Sequence, residues 1–177
     1  MCDHHPTDFS RRGFAGLAAL GAGLSLLPAR ALAQTPKAAG PRFLGVMCID
    51  YRFTMIAQAV FNSQAGIGGY DLVALAGASL AANSPWAFPN ETPGFLEQLA
   101  VARSLHQDIA NVLVLDHMQC GAYKVVFGNM TAEQERAKHN EVARAVGPLL
   151  GAKGLKARFY LAEADATVPT VPIWQSS

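Results

Sequence analysis

Asn111-Val112-Leu113-Val114-Leu115-Asp116-His117-Met118-Gln119-Cys120-Gly121 is the stretch on which the reading of this chain turns. Four consecutive apolar residues, Val112 to Leu115, sit between polar neighbours, the pattern of a strand buried on both faces. Such strands belong to parallel sheets whose two faces are covered by helices. The strand is predicted over residues 111–116, so His117 and Cys120 stand just past its carboxyl end. Open parallel sheets place their sites in the crevice beyond that end.

The same pattern recurs on either side. Residues 43–49 form a short apolar run after Pro41 and lead into Cys48-Ile49-Asp50-Tyr51-Arg52. A second run, 72–76, is closed by Gly77, and a last strand is predicted over 157–162. Between them lie helical patterns. Met55, Ile56, Ala59 and Val60 mark one over 54–64, and another runs from about 92 to 106 after a loop holding Asn83, Pro85, Pro89 and Asn90. Thr131 and Gln134 have capping-box spacing and open a third, which carries Val142, Val146, Leu149 and Leu150 on one face and ends at Gly151 and Gly154. Strands alternating with helices predict an α/β fold, with a parallel sheet of about four strands flanked by helices.

Composition narrows the function classes. Of 177 residues, 51% are hydrophobic and 15% charged, which excludes a disordered chain. The formal net charge of +1 and the lack of a basic block give no nucleic-acid footprint. Part of the apolar surplus falls in residues 1–33, which read as an export signal. Ser10-Arg11-Arg12-Gly13-Phe14 precedes an uncharged stretch rich in Gly, Ala and Leu, and Ala31-Leu32-Ala33 has the small-x-small form of a cleavage site. The segment resembles a bacterial Tat leader and is short and weakly apolar for a membrane span, which takes about 20 residues. No stable membrane anchor is expected. Cleavage leaves 144 residues with acidic and basic side chains balanced, a linker over 34–41 and one domain over 42–177. The expected location is the oxidising periplasm.

Two cysteines remain in that domain, Cys48 and Cys120. In an exported protein they fit a structural disulfide. They also fit a metal site: if the strands ending at Cys48 and Asp116 are neighbours, about 4.8 Å apart, two thiolates and the His117 imidazole converge on one ion. Zinc takes such Cys/His sets, and its catalytic sites keep three protein ligands and one further position. A disulfide leaves His117, Asp50 and Arg52 unexplained. His106 and His139 fall in helices among polar neighbours and read as surface residues. Trp86 and Trp174 read as packing groups, and Asp116 has no assigned role.

These motifs resemble those of the β-class carbonic anhydrases, especially the smaller members. Cys48-Ile49-Asp50-Tyr51-Arg52 matches C-x-D-x-R, and His117-Met118-Gln119-Cys120-Gly121 matches H-x-x-C-G. Each follows a predicted strand, and the resemblance spans roughly residues 42–165. The family's intervening R-N-A-G appears here as Ala74-Leu75-Ala76-Gly77, which keeps only its last two letters, and Tyr51 replaces a small residue. The resemblance implies Zn²⁺ held by Cys48, His117 and Cys120, with water in the fourth position at a pKa near neutrality. It implies that Asp50 orients that water, or itself takes the fourth position in a closed state, and that Arg52 holds Asp50. The implied activity is reversible hydration of carbon dioxide to bicarbonate by a homodimer. Carbonyl sulfide or carbon disulfide hydrolysis on the same scaffold, and zinc binding without catalysis, are the alternatives.

Overall fold

The computed structural model describes residues 42–84, 87–165 and 167–176. The leader, the linker, Pro85 and Trp86 lie outside the described residues. A five-stranded sheet in the order β2-β1-β3-β4-β5 organises the domain. Its strands are β1 (Phe43–Cys48), β2 (Tyr70–Leu75), β3 (Asn111–His117), β4 (Lys156–Ala162) and β5 (Trp174–Gln175). The first four are parallel, as expected. A fifth, beyond the four read from the sequence, consists of two residues that pair antiparallel with β4, Phe159 facing Trp174. A strand this short has no run of alternation to betray it. It forms because the Trp174 ring packs edge-on against Phe159 at 5.4 Å.

The helices are α1 (Thr54–Ala65), α2 (Ser79–Ala82), α3 (Glu91–Leu105), α4 (Gly121–Phe127) and α5 (Ala132–Gly151), with a 3₁₀ turn at Tyr51–Phe53 before α1. Strand periodicity divides the core into two halves. Met47, Leu113, Leu115 and Tyr160 face α1, where Phe53, Ala57, Val60 and Phe61 meet them. Leu44, Val46, Val112, Val114 and Phe159 face the other way, towards Leu80, Phe95, Leu99, Ala143, Val146 and Leu150. Both faces of the central strands are therefore covered, which is why 112–115 is uniformly apolar.

Helix α5 starts as its sequence dictates. Thr131 accepts from the Gln134 amide and Gln134 accepts from the Thr131 amide, completing the capping box. Its buried stripe is Glu135, His139, Ala143, Val146, Gly147 and Leu150, rotated from the expected face so that Leu149 is exposed. His139 is accordingly fully buried, which corrects its reading as a surface residue. Its polar neighbours Lys138 and Asn140 point off the stripe, while 135, 139 and 143 recur every four residues onto the core. His106 ends α3 rather than lying inside it, and its Nδ1 sits 2.8 Å from the Asp71 carboxylate.

Gly147 records how closely the C-terminal strand docks. A Cβ built there would lie 2.1 Å from the Trp174 ring. Glycine-to-alanine inside a helix ordinarily stabilises by about 1 kcal/mol. At Gly147 the sign is expected to reverse, with a net loss of about 1–3 kcal/mol from overpacking. Denaturant unfolding of Gly147→Ala, followed by tryptophan fluorescence, checks this, and a gain in stability would contradict it.

Candidate metal centre

Strands β1 and β3 pair in parallel with Met47 opposite Leu115, so Cys48 and His117 emerge at the same end of the sheet. Beyond His117 the chain turns sharply. Gln119 takes a left-handed conformation, φ +59°, and this turn returns Cys120 towards the strand ends. Such a conformation disfavours a non-glycine side chain and persists only where the surroundings impose it. The two Sγ atoms and a His117 ring nitrogen lie within 4.8 Å of one another, and all three residues are buried. The structure thus brings together the three residues that the motifs singled out.

The distances select among the chemistries left open. The two sulfurs are 4.0 Å apart and both cysteines are free thiols, so no disulfide joins them. Two sulfurs on one tetrahedral zinc, each about 2.3 Å from the ion, stand about 3.8 Å apart, close to what is seen. The tautomer also fits. His117 Nδ1 lies 2.9 Å from the Met118 carbonyl, which can only accept, so Nδ1 carries the proton. Nε2 is then left with a lone pair, and it is buried with no hydrogen-bond partner. An orphaned buried nitrogen beside two thiols is the donor set of a Cys₂His site.

Electrostatics point the same way. Contact with Cys120 draws the Cys48 thiol down to about 4, aided by His117 and the Gly77 amide, while burial opposes. The same contact, with burial, pushes Cys120 upward. The pair therefore gives up one proton readily and resists losing the second, since two thiolates repel at this distance. A divalent cation removes that resistance. Against this, burial disfavours a charged His117 but the neighbouring Cys48 sulfur and the Met118 carbonyl outweigh it and leave the ring's pKa raised, so a metal has to compete with a proton for Nε2.

Asp50 caps the 3₁₀ turn, accepting from the Arg52 backbone amide at 3.1 Å. The Arg52 guanidinium grips the same carboxylate through Nε at 3.0 Å and Nη2 at 2.6 Å. That fork holds the Asp50 pKa below the usual carboxylate range. Asp50 Oδ2 reaches within 3.9 Å of His117 Nε2, so the carboxylate overlooks the thiols and the imidazole. The arrangement joins two kinds of group. Three soft, buried donors face an ionised, partly exposed carboxylate held by arginine.

A cavity of about 590 Å³ opens above Cys48 and Asp50. Ile49, Tyr51, Phe88, Ala122 and Val125 supply its apolar wall. Tyr51 stands at the mouth and is highly exposed. Behind Cys48, Gly77 has φ +83° and donates its amide to Cys48 Sγ at 3.4 Å. An added Cβ would also come within 2.9 Å of Ala122, so this position needs glycine twice over. The retained half of the middle motif is thus the half that contacts the thiol. Leu75, one of its altered residues, lies beside Cys48 in the sheet register, and Ala74 is exposed.

Sequence reasoning missed a buried polar group behind the ligand loop. Asp116 accepts from the Ser79 amide at 3.0 Å and from the Ser79 hydroxyl. The Ser79 hydroxyl in turn lies 3.1 Å from the Tyr123 hydroxyl. Glu135 Oε1 accepts from the Cys120 amide at 3.0 Å. His139 lies between the two carboxylates, its ring tilted over Tyr123 with the centroids 3.8 Å apart. The signal that was available is the four-residue spacing of Glu135, His139 and Ala143.

No protein-family model matches the chain. An uncharacterized protein of Rickettsia conorii is 27% identical over 132 residues, covering 71% of this chain and 69% of its own. Another from Rickettsia bellii is 26% identical over 132 residues, covering 71% and 79%. Among solved structures, a carbonic anhydrase from Glaciozyma antarctica superposes with a TM-score of 0.48 at 18% identity, over 98% of this chain and 100% of that one.

Proposed function

We propose that this protein is a zinc-dependent hydratase of carbon dioxide, with Cys48, His117 and Cys120 as the metal ligands. One observation carries the reading. The unpartnered Nε2 of His117 and two unjoined thiols lie within 4.8 Å of one another, and an arginine-gripped carboxylate overlooks them. Zinc held there supplies Lewis acidity and brings the pKa of water close to neutrality. The protein's own groups do the rest. Asp50 accepts a hydrogen bond at Oδ2 and so orients water for attack on the substrate carbon. Arg52 keeps that carboxylate ionised and fixes its direction. The apolar wall from Ile49, Phe88 and Val125 suits a small neutral molecule and keeps competing water away.

That wall equally favours carbonyl sulfide and carbon disulfide, linear molecules less polar than bicarbonate, and these form the second reading. Storage of zinc without chemistry requires neither Asp50 nor Arg52, and their gripped geometry argues against it. The proposal extends to export through the leader and to a homodimer. Exposed Ile49, Tyr51 and Val125 beside the cavity, and the place of β2 at the edge of the sheet among the described residues, support the dimer.

The mature protein purified after export tests all of this together. It is expected to begin at Gln34, to sediment as a dimer at micromolar concentration, and to carry about one zinc per chain. It is expected to hydrate carbon dioxide far faster than free aqueous zinc across pH 6 to about 9, a range that brackets the near-neutral pKa of the activated water. Zinc-loaded protein without such activity towards any of the three substrates would sink the enzyme reading.

A further inference from the structure

We propose that Glu135 of α5 is the positioning residue of the ligand loop, fixing Cys120 through its backbone amide with His139 and Asp116 behind it. The assignment rests on the reading of Cys120 as a zinc ligand. Glu135 is 9% exposed, on a helix stripe shared with His139, Ala143, Val146, Gly147 and Leu150. Carboxylates are rarely buried without partners, because removing them from water must be offset by donors. Here Oε1 takes the Cys120 N–H at 3.0 Å. That amide follows Gln119, the residue held at φ +59°, so the restraint acts where the backbone is least at ease.

The carboxylate is itself well anchored. The Glu135 backbone amide donates to the Thr131 carbonyl at 2.9 Å, inside the capped first turn of α5. One turn later His139 is fully buried, with Nε2 3.9 Å from Glu135 and Nδ1 3.4 Å from Asp116. Asp116 immediately precedes His117, and it also holds Ser79, two residues past the Gly77 amide that reaches Cys48. A single helix face thus touches the segments that carry or contact all three ligands. Outer groups of this kind tune a metal site by orienting its ligands.

The test uses the full mature chain as wild type, Glu135→Gln, Glu135→Leu and Glu135→Asp. Zinc affinity is read by competition with a chelator, and geometry by the absorption bands of the cobalt(II)-substituted protein. Glu135→Leu removes the acceptor and is expected to weaken zinc binding about 10- to 100-fold and to shift the cobalt bands. Glu135→Gln keeps an oxygen acceptor and should stay close to wild type, well short of the roughly 10-fold loss that marks removal of an outer partner. Glu135→Asp keeps the charge but falls one methylene short. It should fold even if the Leu variant does not, and should lie between the other two in affinity. A wild-type affinity and spectrum in Glu135→Leu, or in Glu135→Asp should Leu not fold, overturn the assignment while the metal reading stands. Equal losses in Gln and Leu do the same, because the acceptor oxygen that Gln retains would then count for nothing. Wild type that binds neither zinc nor cobalt overturns the metal reading and this assignment with it.

Discussion

Cys48→Ser, Cys120→Ser and His117→Ala are each expected to abolish stoichiometric zinc. Each removes one of the three proposed protein ligands, and a serine hydroxyl is a poor substitute for a thiolate toward zinc. The loss extends to stability, because an ion that binds only the folded chain adds its binding free energy to folding. At free zinc 1,000-fold above the wild-type dissociation constant, that linkage is worth about 4 kcal/mol. Wild type should therefore unfold at markedly lower denaturant once chelator is added, whereas the three variants should be indifferent to chelator. Metal analysis alongside paired unfolding curves checks both halves. Fresh exported protein found metal-free, with Cys48 and Cys120 joined, would defeat the prediction, since the 4.0 Å separation is too long for a bond and close to that of two sulfurs on one ion.

Asp50→Asn separates holding the metal from using it. The amide preserves shape and one acceptor oxygen, but it loses the charge that Arg52 grips and gains donors where only acceptance is useful. Zinc content should be unchanged. Carbon dioxide hydration should fall by about 10²-fold or more, the scale of removing a positioned acid–base group. Arg52→Gln should also lower activity, since it frees the carboxylate rather than deleting it. Stopped-flow hydration with parallel zinc analysis distinguishes the outcomes. Loss of zinc in Asp50→Asn would make Asp50 a ligand in the resting state, and full activity would remove it from the chemistry.

The residues that could be read in advance have strong local signatures. Val112 to Leu115 needed no context to be a buried strand, and Thr131 with Gln134 announced the start of α5. The convergence of Cys48, His117 and Cys120 followed from one assumption, that β1 and β3 are neighbours, which the sheet order meets. What stayed hidden depends on contacts between distant segments. The two residues of β5 are a strand only because Trp174 finds Phe159 and the bare surface of Gly147. His139 looked like a surface residue because polar neighbours hide a stripe that repeats every four positions. Asp116 gains its meaning from Ser79, 37 positions earlier in the chain.

The spacing of the ligands along the chain governs the order in which the site assembles. His117 and Cys120 share one short turn, while Cys48 lies 72 positions from Cys120. Closing so long a loop costs entropy that only the pairing of β1 with β3 repays, and such non-local pairings form late. The nascent chain would thus have at most a weak two-donor grip on the proposed zinc, and the third donor would arrive with the docked sheet. On this spacing, the proposed ion would not be expected to nucleate folding. Such an ion would lock a topology already reached, so metal loading would report on completed sheet assembly, and a chain exported already loaded would have to be already folded.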